Sequence, residues 1–159
     1  MAYTYNSQLL PQTINTPAAH ALLSTAMAST TNYDGTQAVG TAMALVFTAG
    51  SNGSQLPKLR VRYSSTDGAA ASGATNATVV RIFLNNGNAN TTAANNIFFG
   101  EVGVLAATMS QTASLAQPTD FDFGLLVLPA GWRVYAGLTT AIGGTNCALA
   151  VSMPGGGDF

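Results

Sequence analysis

The sequence predicts an all-β chain of two packed antiparallel sheets. Three observations point there. Apolar and polar residues alternate with period two in Lys58-Leu59-Arg60-Val61-Arg62-Tyr63, the signature of a half-buried strand. Strand-like runs recur at intervals of roughly 10–20 residues with Gly, Asn and Pro between them, as in sandwiches and barrels. No alternation of strand and helix patterns appears, which argues against a parallel sheet.

The elements follow in chain order. Residues 1–37 are mixed, with Tyr3, Tyr5, Leu9, Leu10 and Ile14 spaced among Thr, Gln and Pro. The stretch Pro17 to Ala28 suits a helix capped by Thr16 with Pro17 in the first turn, but its Ser and Thr residues suit a strand equally. Asp34 and Gly35 mark a turn. Ala42 to Thr48 is an apolar strand, stopped by Gly50-Ser51-Asn52-Gly53. The Lys58–Tyr63 strand follows, then a small-residue loop from Asp67 to Ala77. Thr78 to Leu84 is a β-branched strand ended by the turn signal Asn85-Asn86-Gly87, and Asn88 to Asn96 reads as the tip of that connection. Ile97 to Leu105, Phe121 to Leu128, Trp132 to Leu138 and Asn146 to Met153 complete about seven strands. The tail from Pro154 to Phe159 reads as extended or flexible. The expected organisation is a single domain: residues 1–37 as an N-terminal arm and first elements, packed on or exchanged with neighbours, and residues 38–159 as the sandwich.

Composition narrows the function. Charged residues make up 7% of the 159 residues, against about a quarter in an average protein. Ala, Gly, Ser, Thr and Asn fill more than half the chain. Charge keeps a freely diffusing protein solvated, so so neutral a surface is expected to lie against other subunits. Five Lys and Arg residues neutralise too few phosphates for direct nucleic-acid binding. No apolar run reaches about 18 residues, so no membrane span is expected. Met1 to Asn6 has neither a basic segment nor a long apolar one, so no signal peptide is expected there.

Residues able to carry chemistry are few. Asp120 and Asp122 stand two apart in a strand, with carboxylates on one face at about 7 Å. They would suit a paired-carboxylate or hard-cation site, or else a turn residue and a solvent-facing one. His20 sits among alanines with no partner in view, and Cys147 lies in a strand as a small hydrophobe. No nucleophile elbow, phosphate loop or metalloprotease motif occurs, and no enzyme activity, metal or cofactor is expected. Lys58, Arg60 and Arg62 form a basic stripe that either meets an acidic neighbour across a subunit interface or protects an edge strand. Tyr3, Tyr5, Leu9, Leu10 and Ile14 either form an arm that docks on another subunit or complete the chain's own sandwich.

The stretches Thr78–Gly87, Leu126–Tyr135 and Gly157-Asp158-Phe159 resemble small structural proteins encoded among the head genes of tailed bacteriophages. The resemblance covers roughly residues 78–159 and is one of pattern. It implies a jelly-roll-like sandwich, self-association with a trimer favoured, and binding to a major capsid protein. The expected function is thus a capsid decoration or cement protein of the virion, made in the host cytoplasm. The alternative is a tail, neck or fibre protein that binds a carbohydrate or the host. On either reading the expected interface residues are Tyr3, Tyr5, Leu9, Leu10, Ile14, Lys58, Arg60 and Arg62.

Overall fold

The computed structural model describes residues 13–14, 20–37, 42–66, 70–110, 112 and 118–159. Among the described residues twelve strands run in chain order: β1 (Thr13–Ile14), β2 (His20–Leu23), β3 (Met43–Thr48), β4 (Ser54–Ser65), β5 (Gly73–Ala74), β6 (Thr78–Asn85), β7 (Asn96–Val104), β8 (Thr108–Met109), β9 (Thr119–Leu128), β10 (Arg133–Leu138), β11 (Cys147–Ser152) and β12 (Gly157–Asp158). The one helical element among the described residues is a 3-10 turn at Ala93–Asn95.

Two antiparallel sheets make the body. In the first, β4 is central. β9 runs along one side of it, while β11 and β12 share the other side and carry β2 and β1 beyond them. The second sheet has the order β3-β10-β6-β7. A two-strand ribbon, β5 with β8, lies apart from both. The pairing is nested about the β6–β7 connection: β6 pairs β7, β4 pairs β9, β3 pairs β10 and β2 pairs β11. The sheets also approach at their edges, β2 beside β3 and β7 beside β9.

Alternation places the core. Leu56, Leu59 and Val61 of β4 meet Val80, Ile82 and Leu84 of β6, with Val134 and Leu138 of β10 and Leu149 and Val151 of β11. All ten are essentially out of water, and each buried aliphatic side chain contributes about 1.5–3 kcal/mol. The β7–β9 seam is closed by aromatic rings. Phe99 lies 5.5 Å from Phe123 and 6.0 Å from Phe121, centroid to centroid.

The outer face of the second sheet is covered by residues 24–37. Met27 packs there on Met43, Phe83 and Tyr135. Arg81 reaches out of β6 to hold this segment: its guanidinium lies 3.9 Å over the Tyr33 ring and donates to the Tyr33 hydroxyl and to the Thr30 carbonyl. The outer face of the first sheet has no such cover from the described residues.

Two alternatives are settled here. Over its described residues, Pro17–Ala28 is not helical. His20 to Leu23 pair residue by residue with β11, which satisfies backbone groups that a helix would leave bare at that sheet edge. Leu23 alone of the four is buried. The tail turns through Gly155 and Gly156, φ 77° and 82°, and then runs as the strand Gly157–Asp158, held on β4. Ser54 donates to Asp158 at 2.5 Å, and Asn52 donates to the Phe159 carbonyl at 3.1 Å. The loop expected between residues 67 and 77 contributes β5, and residues 67–69 lie outside the described residues.

Candidate interaction surface

The bare outer face of β4 and β9 gathers most of the charge that the sequence pointed to. Strict alternation turns Leu59, Val61 and Tyr63 into the core and leaves Lys58, Arg60 and Arg62 outside. Across the register Arg60 faces Asp120 and Lys58 faces Asp122. Arg60 donates from Nε to Asp120 Oδ1 at 2.8 Å and from its terminal nitrogen to Oδ2 at 2.9 Å. Lys58 Nζ stands 3.0 Å from the same Oδ2. The paired hydrogen bonds from Arg60, with Lys58 behind them, hold the Asp120 carboxyl down at about 2, and Asp120 in turn raises Arg60. Both Asp120 oxygens are thus engaged as ion-pair partners of Arg60 and Lys58.

The acidic neighbour of the basic stripe is therefore in the same chain. The edge-strand alternative fails, because β4 is paired on both sides. Arg62 is exposed on the same face.

Next to this cluster β9 is deformed. From Leu56 to Lys58 on β4 is two steps, while the matching stretch from Leu126 to Asp122 on β9 is four. Gly124 and Leu125 form the excess, both with left-handed backbone, φ 63° and 61°. Asp122 Oδ1 accepts the Gly124 N–H at 2.7 Å and sets the turn. Proline at position 57 of the facing strand has no N–H to offer the ladder, which suits a break in pairing there. Leucine in this conformation is strained, yet its side chain is 61% exposed. Val127 beyond it is 56% exposed. Pro57, Lys58, Asp120, Asp122, Gly124 and Leu125 line an open cleft of about 610 Å³. Its walls are mostly apolar, and its charged lining is Lys58 against Asp120 and Asp122.

The other expected residues lie elsewhere. Tyr3, Tyr5, Leu9 and Leu10 lie outside the described residues. Ile14 pairs through its backbone with Gly157 in the chain's own sheet. His20 is on β2 opposite Ser152, in the same row of the sheet as Arg60 and Asp120 but three strand spacings, about 14 Å, across from Asp120. Cys147 is buried against the Ser72 and Thr145 carbonyls. Trp132 packs half-buried against the core. Among the described residues no group of three His, Cys, Asp or Glu is placed to hold a metal ion, and no helix is long and apolar enough to cross a membrane.

Leu125 and Val127 were not singled out by sequence reasoning. The available signal was Gly124, an isolated glycine inside an apolar strand, which marks a bulge. No family model, no curated protein and no solved structure matches this chain.

Proposed function

We propose that this chain is a virion structural protein of a tailed bacteriophage: a capsid decoration or cement protein that self-associates, with a trimer favoured, and binds the major capsid protein. The observation that carries the reading is the nested strand pairing, first with last and inward to the β6–β7 connection. We read this winding as a jelly roll, an architecture that serves viral shell domains as well as lectins and cupins. The winding alone does not select among those roles. The composition favours the shell: 7% charged residues leave few groups to keep copies apart in solution. The exposed Leu125 and Val127 favour a surface that is covered in the assembled particle. The carbohydrate-binding alternative draws less support, because the lone tryptophan lies against the core instead of offering an open platform.

The test is to purify the particles of the phage whose genome encodes the chain and count its copies by quantitative mass spectrometry. Hundreds of copies per particle are expected. A dozen or fewer would move the chain to the neck or tail tip, and absence from particles would end the virion reading.

A further inference from the structure

We propose that Asn52 is a deamidation site coupled to the C-terminal tail: the docked tail slows its conversion, and conversion releases the tail.

Asparagine followed by glycine loses its side-chain amide readily, because no Cβ hinders the nitrogen that attacks it. The chain has two such steps, Asn52-Gly53 and Asn86-Gly87. In the reaction the glycine nitrogen gives its proton to hydroxide and attacks the asparagine Cγ. The N–Cγ bond forms, the Cγ–Nδ2 bond breaks and ammonia leaves. Water then opens the cyclic imide to aspartate, or to isoaspartate, in which the main chain runs through Cβ and Cγ.

The fold treats the two steps differently. Both glycine N–H groups are engaged, Gly53 with the Gly50 carbonyl at 3.0 Å and Gly87 with Asn85 Oδ1 at 2.9 Å. The asparagine side chains differ. Asn86 is half-buried, donates to Asn95 Oδ1 and accepts from the Asn88 N–H, both at 3.2 Å. Asn52 is exposed in the Gly50–Gly53 turn, beside exposed Ser51. Among the described residues its side chain makes one hydrogen bond, to the Phe159 carbonyl at 3.1 Å. That partner belongs to the tail, so the bond restraining Asn52 lasts only while the tail is docked.

Conversion acts back on the tail. Aspartate has no N–H to donate, so a carboxylate oxygen would face the Phe159 carbonyl instead. It would add a negative charge to a turn that already packs on one: a Cβ at Gly50 would stand 2.6 Å from Asp158 Oδ2. Isoaspartate would lengthen the main chain beside Gly53, where a Cβ would stand only 2.7 Å from the Leu128 carbonyl oxygen. The Phe159 N–H donates to the Gly53 carbonyl at 3.2 Å, and β12 pairs with both β4 and β1. A disturbance at Asn52 therefore reaches Phe159, Asp158 and, through them, β1.

The test uses the full chain. It is incubated in mildly alkaline buffer, and electron-transfer fragmentation locates aspartate and isoaspartate. Asn52 is expected to convert roughly 5-fold or more faster than Asn86, the worth of the one further hydrogen bond at Asn86, and the two rates to converge in urea. Deleting Phe159 should speed Asn52 by a similar factor and leave Asn86 unchanged. Asn86 in the same sample reports global opening. Both rates rising together would show that opening of the whole fold governs Asn52, and would overturn the proposal. So would conversion at Asn86 as fast as at Asn52, or an Asn52 that stays intact in the folded chain. A second arm follows amide exchange in Asn52→Asp. Faster exchange at Asp158 and Phe159, with the amides of β6 and β10 unchanged, is expected. Exchange like the parent's at those two residues would refute release of the tail.

Discussion

Gly100 on β7 faces the Phe121 ring of β9 across the seam between the sheets, and replacing it with alanine tests what closes that seam. A Cβ at position 100 would stand 2.5 Å from Phe121 Cζ and 2.6 Å from its Cε2. Ordinary contact begins near 3.4 Å, so the ring must move by about 1 Å or swing toward solvent. Phe121 is only half-buried and is free to swing. In doing so it abandons Phe99 at 6.0 Å and Phe123 at 5.3 Å. Each such aromatic pair is worth about 0.5–1.5 kcal/mol beyond its area, a loss of about 1–3 kcal/mol. Alanine regains about 0.5–1 kcal/mol over glycine in a strand. The expected net destabilisation of Gly100→Ala is about 0–2.5 kcal/mol, read from the midpoint of urea unfolding at unchanged slope. In a Phe121→Ala background the clash is gone, and the same substitution should become stabilising by about 0.5–1 kcal/mol. The sign change, measured as a coupling energy in the double-mutant cycle, is the decisive reading. Equal destabilisation in both backgrounds would show that the ring is not what requires a glycine there.

Leu125→Gly should stabilise the isolated chain slightly. Left-handed backbone costs leucine about 1–2 kcal/mol, and the freer unfolded glycine chain takes back about 0.4–1 kcal/mol. Thermal unfolding at concentrations where the chain is monomeric should show a net gain of about 0–1.6 kcal/mol, and a concentration-independent loss above about 1 kcal/mol would mean that the side chain packs within its own subunit. Asp120 has its carboxyl held at about 2 in the folded chain, below its ordinary value near 4. Its contribution is therefore complete above about pH 4 and is lost as pH falls toward 2. Asp120→Asn should flatten stability over that window and cost about 0.5–1 kcal/mol at neutral pH, less in high salt; an unchanged acid profile would dismiss the pair as a stabiliser. Ser54 is fully buried, accepts from the Gly50 N–H at 3.0 Å and donates to Asp158. Ser54→Ala should cost about 1–3 kcal/mol and loosen the tail, seen as faster amide exchange at Asp158 and Phe159.

What the sequence by itself determined is local. Strand positions in β3, β4, β6, β7, β9, β10 and β11 follow from alternation and from turn residues such as Asn85-Asn86-Gly87, because both act over a few neighbouring positions. The inward turn of Leu59, Val61 and Tyr63 was legible for the same reason. The region from Pro17 to Ala28 was ambiguous because its propensities balance, and pairing with β11, a segment more than a hundred residues on, decided it. Nothing near Lys58 in sequence names Asp120 as its partner. That ion pair exists because β9 lies beside β4, a long-range pairing. Leu125 became exposed and strained only because the register forces two extra residues of β9 out of the ladder opposite Pro57. Periodicity tells which face a residue takes, but the neighbour across the sheet is chosen by burial of the whole core, and only the tertiary structure expresses that choice.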